Sequence, residues 1–124
     1  MGTSTTASQH VPNGLGHFDI AGPQLSALAP FYQAVLGWTV EPRGPGYATL
    51  RTPDGSPNGA LVEAEQAGIT IGLVVPDLDQ ALAQAQAHHG SIAMPITDNG
   101  YVRKAQVRDP AGNVITLIAG RAAV

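Results

Sequence analysis

Two short segments of the chain alternate apolar and polar residues with a period of two. In both segments every second position is apolar: Phe18 and Ile20 in the first, and Ile71, Leu73 and Val75 in the second. This period is typical of half-buried strands, because successive side chains of a strand point to opposite faces of a sheet. We therefore predict strands at 17–20 and 70–75. The other face of the first strand carries His17 and Asp19, and that of the second begins with Thr70.

Apolar residues that recur every three or four positions predict two helices. The first covers 24–36, and its apolar residues are Leu25, Leu28, Phe31, Tyr32, Val35 and Leu36. The second covers 77–88, and its apolar residues are Leu78, Ala81, Leu82 and Ala85. Pro30 should kink or delay the first helix unless it lies in the first turn. Either Asp77 or Asp79 can cap the start of the second helix.

Short apolar stretches separated by turn residues predict five further strands. We place them at 47–51, 60–63, 91–94, 101–107 and 114–118. Asn-Gly pairs precede or interrupt these stretches at Asn58 and Asn99, and such pairs favour the tight turns of hairpins. The strands that follow each helix therefore form small sheets of about four strands together with the opening strands.

The chain contains an internal repeat with an offset of 53 residues. When the segment that starts at His17 is set above the segment that starts at Thr70, three further pairs coincide: Pro23 with Pro76, Leu25 with Leu78, and Gly37 with Gly90. Each half then reads as a strand, a Pro-led turn, a helix, a glycine and further strands. The predicted fold class is α+β, built from two βαβββ modules.

The alternation also divides the predicted sheets into two faces. The uniformly apolar set should pack under the helices, and it comprises Phe18, Ile20, Ile71, Leu73, Val75, Ile115 and Leu117. The opposite face carries His17, Asp19, Thr70, Gly72, Val74, Val114, Thr116 and Ile118. Histidine, aspartate and threonine among small apolar residues indicate a pocket wall, although a solvated face has the same composition.

Composition limits the classes of function. The 124 residues predict one domain, which we place at 15–124 after a flexible leader at 1–14. The absence of Cys excludes disulfides and thiolate chemistry, and favours a cytoplasmic location. A net charge of −3 with scattered basic residues argues against nucleic acid as a partner. No apolar run reaches the roughly 18 residues of a membrane span, so no membrane partner is expected.

A few aromatic and polar residues are candidates for ligand contact. Trp38, Tyr47 and Tyr101 lie beside predicted turns, where a ring can stack on a flat ligand, although Trp38 can equally fill the core between helix and sheet. Polar contacts can also come from Arg51, Arg103, Gln106 and Arg108. The facing of strand 101–107 stays open: one face carries Tyr101, Arg103 and Ala105, and the other carries Val102, Lys104 and Gln106.

Three motifs give the chain a family resemblance. They are FYQAVLGW at 31–38, VPDLD at 75–79, and DPAGN at 109–113 followed by an apolar strand. In order and spacing the chain resembles the vicinal oxygen chelate superfamily, the group of glyoxalases, bleomycin-resistance proteins and extradiol dioxygenases. The resemblance covers 15–119. It implies modules at 15–65 and 69–119, with their sheets curled around a concave pocket, and commonly a homodimer.

The resemblance also implies where a metal would be bound. In the metal enzymes of the superfamily, the ligands come from the first and the last strand of each module. The corresponding residues are His17 and Thr70 in the first strands, and roughly Glu63 and Thr116 in the last. Only His17 and Glu63 are good donors, while zinc and non-haem iron normally take at least three. Asp19 can supply a third donor but does not match the pattern, so we expect no metal cofactor.

The function expected from these observations is binding of a small organic molecule without a metal, as in proteins that sequester an antibiotic. The residues expected to contact the ligand are His17, Asp19, Trp38, Tyr47, Glu63, Thr70, Tyr101, Arg103, Gln106 and Thr116. The alternative is a lyase, isomerase or epimerase of the glyoxalase kind that uses a divalent metal ion held by His17 and Glu63.

Two further functions stay open. A metal-free enzyme would use His17 and Asp19 as acid and base, with the two side chains about 7 Å apart on one strand face. At that distance they can reach a common ligand, but they reach each other only after adjustment. A scaffold or interaction module would fill the pocket with its own side chains.

Overall fold

The computed structural model describes residues 13–54 and 57–120, which form two compact units. The first unit contains Gly16–Thr70, and the second contains residues 13–15 and 71–120. The elements along the chain are β1 (Leu15–Gly22), α1 (Leu25–Leu36), β2 (Thr39–Gly44), β3 (Tyr47–Arg51), β4 (Gly59–Glu63), β5 (Gly68–Val74), α2 (Leu78–Ala87), β6 (Ser91–Asp98), β7 (Val102–Arg108) and β8 (Val114–Gly120). This order confirms an α+β fold of two βαβββ modules.

In the first unit the four strands are ordered β2, β3, β4, β1, and only the β1–β4 pair is parallel. Side chains on one face form a core cluster under α1 that is centred on Ile20, Ala48, Leu50 and Leu61. Helix residues Leu25 and Leu28 pack against this cluster. The expected packing of the apolar face of the first strand under the helix is therefore confirmed.

The second unit repeats this arrangement with the strand order β5, β8, β7, β6, in which β5 and β8 are parallel. Its core cluster consists of Val75, Leu78, Leu82, Ala105, Val107, Leu117 and Ala119. Register places Gly72 beside Thr116 and Thr116 beside Gln106, so these residues share the face away from α2.

The helices begin and end near the predicted residues. The Asp77 carboxylate accepts a hydrogen bond from the Gln80 amide at 3.0 Å, which confirms Asp77 as the cap of α2. Gly37 ends α1 in the left-handed conformation with φ 70°, where glycine is favoured. Pro30 lies inside α1 beyond its first turn, and the helix continues past it to Leu36.

Strand β2 is an element that the hydrophobic pattern does not predict. Its sequence, TVEPRG, contains Pro42 and two charged residues, a composition that occurs on edge strands and at bulges. The pairing with β3 shifts between Pro42 and Gly44, so Arg43 is an extra residue in the ladder. A bulge of this kind redirects the side chain that it carries.

Residues 1–12 of the predicted leader lie outside the described residues. Asn13 and Gly14 do not belong to a free leader, because both pair with β5. The Asn13 amide donates to the Val74 carbonyl at 2.5 Å, and the Gly14 carbonyl accepts from the Val74 amide at 3.0 Å. Among residues 13–54 and 57–120, no helix has the length and apolar character needed to cross a membrane.

Candidate functional site

A cavity of about 280 Å³ opens on the face of the first unit's sheet that lies away from α1. We call it the polar cavity. Its lining comes from β1, β2, β3 and the start of β4, and consists of His17, Arg43, Tyr47, Thr49, Leu50, Arg51, Asn58 and Gly59. Six of these eight residues carry a polar side chain, in contrast to the apolar face under the helix.

Strand β3 supplies three polar side chains to the cavity by simple alternation. Ala48 and Leu50 point into the core and are only 2% and 1% exposed. Tyr47, Thr49 and Arg51 occupy the intervening positions, so their side chains point to the opposite face. The buried pair therefore fixes the direction of the polar residues.

Arg43 reaches the same cavity from the bulge in β2. Its Nη2 donates to Glu41 Oε1 at 2.6 Å, and its Nε donates to Thr49 Oγ1 at 3.2 Å. Thr49 Oγ1 in turn donates to the Glu41 carbonyl at 3.4 Å. These bonds hold the guanidinium beside β3, although Arg43 and Glu41 remain 52% and 45% exposed.

His17 and Asp19 form a direct pair at the β1 side of the cavity. His17 Nε2 lies 2.9 Å from Asp19 Oδ1, and the side chains are 37% and 41% exposed. The sequence predicts a separation of about 7 Å that only adjustment of the side chains would close, and the structure shows them closed on each other. The Cα atoms of residues two apart on a strand are separated by nearly 7 Å, but two side chains that lean toward each other close that gap. The expected sharing of one strand face is what allows this contact.

Glu63 does not join His17, which corrects the predicted metal pair. In the parallel register of β1 and β4, Gly22 faces Glu63, and Gly22 lies about 16 Å along the strand from His17. Glu63 also follows Leu61 by two residues, so it points to the helix side of the sheet. The strand face of His17 and that of Glu63 are therefore opposite.

Strand pairing identifies Ala60, rather than Glu63, as the residue of β4 that corresponds to Thr116 in β8. Thr116 faces Gly72 in the second unit, and Gly72 corresponds to Asp19 in the repeat. Asp19 faces Ala60, whose methyl group binds no metal. Within residues 13–54 and 57–120, no group of three or more His, Asp or Glu side chains is arranged to hold a metal ion. The residues at these positions do not fit the ligand set that the resemblance implies.

Trp38 is a core residue of the first unit rather than part of the polar cavity. Its ring centroid lies 5.6 Å from that of Phe18 and 5.9 Å from that of Tyr32, and it stacks nearly parallel to Tyr32. Both partners pack against the core cluster on the helix side. Of the two interpretations of Trp38, the structure supports core packing.

In the second unit, two of the predicted site residues come together. Gln106 Nε2 donates to Thr116 Oγ1 at 3.1 Å, on the face that also carries Gly72. By alternation along β5, Thr70 belongs to the same strand face as Gly72. Of the two faces of strand 101–107, the one with Val102, Lys104 and Gln106 therefore lies away from α2.

Arg103 and Tyr101 do not share that face. Arg103 points toward α2, where its guanidinium lies 3.7 Å from the Asp79 carboxylate. Tyr101 is 83% exposed in the turn before β7, and its amide donates to Asn99 Oδ1. Arg103 and Gln106, both in the expected contact set, therefore lie on opposite faces of β7, since successive side chains of a strand point to opposite faces.

The DPAGN motif is a hydrogen-bonded turn before β8. Asp109 Oδ1 accepts from the amides of Ala111 and Asn113, both at 2.9 Å, and Oδ2 accepts from Asn113 Nδ2 at 2.8 Å. The bond from the Asn113 side chain is the largest cause of a pKa of Asp109 below its ordinary value, because the bonds favour the ionised carboxyl. The motif shapes the turn and contributes no group to the polar cavity.

Four polar residues of the cavity lining were absent from the predicted contact set: Arg43, Thr49, Arg51 and Asn58. The period of two from Tyr47 through Arg51 is a signal that could have identified Thr49. No comparable signal exists for Arg43, because its direction depends on a bulge that appears only when β2 pairs with β3.

The chain belongs to the Glyoxalase/Bleomycin resistance protein/Dioxygenase superfamily, whose family model matches residues 14–117. A methylmalonyl-CoA epimerase from Mycobacterium tuberculosis aligns over 91% of this chain and 91% of its own, with 18% identity and a TM-score of 0.65. A superfamily member from Vibrio splendidus 12B01 aligns over 86% of this chain and 99% of its own, with 18% identity and a TM-score of 0.67.

A third similar structure is the Mn(II)-bound glyoxalase from Novosphingobium aromaticivorans, with 15% identity and a TM-score of 0.64 over 88% of this chain and 38% of its own. Comparison with curated proteins gives no match. At such identities the three structures establish the fold alone. The activity has to be argued from the side chains of this chain.

Proposed function

We propose that this protein binds a small organic molecule without a metal ion, and that the ligand occupies the polar cavity. The observation that carries the proposal is the register of β1 and β4, which puts Ala60 rather than a carboxylate beside Asp19. Of the four positions that hold metal in enzymes of the superfamily, only His17 then carries a strong donor, since the others are Ala60, Thr70 and Thr116. One imidazole is too few for a stable zinc or iron site, even with the Asp19 carboxylate beside it as a second donor.

The size and lining of the polar cavity support a small ligand. Its volume of about 280 Å³ is close to the lower end of pockets that hold drug-sized molecules, roughly 300 Å³. Hydroxyl, amide and guanidinium groups at its wall can orient a ligand by hydrogen bonds. Stoichiometric sequestration of an antibiotic or a similar compound requires only such binding, so we include that role in the proposal.

The first test separates binding without metal from a metal-dependent lyase, isomerase or epimerase. Metal content is measured on purified protein, which is then titrated with nickel, zinc, manganese and iron while the melting temperature is followed. We expect no saturable rise in melting temperature that depends on His17, because a site with one strong donor binds these ions weakly. Stoichiometric metal that is lost in His17→Ala would overturn the proposal and favour the metal enzyme.

The second test uses a panel of small organic compounds in the presence of a chelator. We expect at least one compound to raise the melting temperature saturably with 1:1 stoichiometry. Thr49→Val should weaken binding of that compound by several fold, because it removes a cavity hydroxyl and an anchor of Arg43. Thr97→Val is the matched control, since Thr97 is exposed on β6 and lies outside the cavity lining. Equal loss in both variants would argue against binding in the cavity.

The bond between His17 and Asp19 favours a second candidate, a metal-free enzyme in which His17 moves a proton. A carboxylate bonded to one ring nitrogen orients the imidazole, as in acid–base sites. The test is exchange of deuterium from solvent into a bound compound, followed by mass spectrometry. Exchange that depends on both His17 and Asp19 would establish turnover, whereas binding without exchange supports the binding protein.

A further inference from the structure

The lining of the polar cavity carries positive charge and no carboxylate. The whole chain has six Lys and Arg residues against nine Asp and Glu, yet two of the six, Arg43 and Arg51, line this one cavity. Among residues 13–54 and 57–120, no aspartate or glutamate belongs to the lining. In an acidic chain with few charges, this placement is a local feature of the cavity rather than a consequence of composition.

The two arginines differ in how their charge is compensated. Arg43 is neutralised by Glu41, and the pair is also fixed by Thr49. Arg51 has no hydrogen-bond or ion-pair partner for its guanidinium among residues 13–54 and 57–120. The uncompensated positive charge at the cavity is therefore that of Arg51.

Two acceptor atoms at the cavity wall, Asn58 Oδ1 and Thr49 Oγ1, already accept hydrogen bonds from the protein. Asn58 Oδ1 accepts from the Thr52 amide at 3.2 Å, which leaves its Nδ2 as a donor. Thr49 Oγ1 accepts from Arg43 and donates to a carbonyl. The donors left for a ligand are the guanidinium of Arg51, the amide of Asn58 and the hydroxyl of Tyr47.

We propose that the polar cavity binds its ligand through an oxyanion, a carboxylate or a phosphate, with Arg51 as its charge partner. Asn58 and Tyr47 donate further hydrogen bonds, and Arg43 contributes a guanidinium already held in place. Guanidinium groups pair with carboxylate and phosphate through parallel N–H bonds, which are stronger than bonds between neutral groups. This inference rests on the proposed function and names the chemical class of its ligand.

The test compares three probes that share a phenyl ring: benzoate, phenyl phosphate and the neutral benzamide. Each is titrated into the full chain at low ionic strength with a chelator present, and saturable changes in backbone amide signals give the dissociation constant. We expect one oxyanion to bind at least tenfold more tightly than benzamide. Preference for benzoate assigns the site to carboxylates, and preference for phenyl phosphate assigns it to phosphates.

Variants connect the preference to the cavity. Arg51→Gln should weaken binding of the preferred oxyanion at least tenfold, because the charge partner is lost. The affinity for benzamide should stay within about twofold of the wild-type value. Arg103→Gln is the matched control and should leave all three affinities unchanged, since Arg103 pairs with Asp79 beside α2. Equal weakening by both substitutions would mean a general charge effect and would overturn the inference.

Failure of this inference can be told apart from failure of the proposed function. If benzamide binds as tightly as both oxyanions, the cavity binds small molecules but does not select an anion, and only the inference is overturned. If none of the three probes binds, the inference is overturned as well. The panel of small organic compounds then tests, independently of these probes, the proposal that the cavity binds a small molecule.

Discussion

At the scale of single residues, Asp109 is the titratable group whose bonds most clearly affect stability. Its pKa is lower in the folded chain than in the unfolded chain, chiefly because the Asn113 side chain donates to its carboxylate. The ionised carboxyl therefore stabilises the fold at pH values above its unfolded pKa of about 3.9, and this stabilisation is lost as the pH falls through the folded pKa. We predict that Asp109→Asn lowers the melting temperature at pH 6.

The dependence on pH provides the control for that prediction. The amide introduced by Asp109→Asn is neutral throughout and can place an NH₂ group where Oδ2 accepts from Asn113, so the variant lacks the acid-dependent contribution. The difference in melting temperature between the two proteins should shrink below about pH 3.9. Thermal unfolding followed by circular dichroism, from about pH 6 to well below the carboxyl pKa, measures it. A difference that stays constant over this range would contradict the assignment.

Single residues also mark the limit of what alternation predicts. The period of two correctly places His17 and Asp19 on one strand face and Phe18 on the other. It does not predict the 2.9 Å contact between the two polar side chains, which depends on their rotamers. Nor does it predict the direction of Arg43, which depends on the bulge.

At the scale of elements, α1 contains a residue that a helix interior disfavours. Pro30 is the sixth residue of the helix, where its nitrogen has no proton to donate to the Ser26 carbonyl and its ring crowds the preceding turn. We predict that Pro30→Ala raises the free energy of unfolding by about 2 kcal/mol, the helix penalty of proline less the unfolded-state entropy that proline removes. Chemical denaturation measures this change.

Pro76 offers a matched control for that substitution. It precedes α2 and lies outside any helix, in a bend where no helical bond is expected of its nitrogen. Pro76→Ala should change stability by less than about 1 kcal/mol and in the destabilising direction, because only the restriction of the unfolded chain is lost. Similar gains in both variants would show that the position of Pro30 in the helix is not the cause.

A glycine follows each helix, but the physical reason for it differs between the two units. Gly37 adopts a positive φ, whereas after α2 it is His89 that does so, with φ 74°. Gly90 is needed for space, since a Cβ there would lie 2.6 Å from the Arg108 carbonyl oxygen. The repeat in the sequence thus aligns two glycines that are required for different physical reasons.

At the scale of the whole molecule, the two units have separate cores. The cluster around Ile20 and Leu61 and the cluster that contains Leu117 share no residue, and Ile115 packs against the second. We predict that Ile20→Val and Ile115→Val each lower the free energy of unfolding by about 0.5–1.5 kcal/mol. The double variant should lose the sum to within about 0.5 kcal/mol.

Chemical denaturation of the wild type, the two single variants and the double variant tests this additivity. Ile20→Val combined with Leu61→Ala is the control pair, because both residues belong to one cluster and should couple. Coupling of more than about 1 kcal/mol between Ile20 and Ile115 would show that the two cores do not respond independently.

Local patterns in the sequence were enough to predict most of the elements and their faces. Periodicity placed both helices, the repeat predicted two βαβββ modules, and the three motifs pointed to the superfamily that the family model confirms. These patterns missed β2, because Pro42 and the charged residues beside it conceal an edge strand. The helix and strand predictions succeeded because they need only local information, since a period of two or of 3.6 is a property of neighbouring residues.

Which side chains meet depends on how distant segments pair and pack. Strand register depends on pairing between distant segments. It shows that the residue corresponding to Thr116 is Ala60 rather than Glu63, and that Arg103 lies on the helix side of β7. Trp38, which the sequence places in the expected contact set, packs in the core against Phe18 and Tyr32. The polar cavity exists because β1, β2, β3 and the start of β4 bring their polar residues to one place. No spacing along the chain encodes that arrangement.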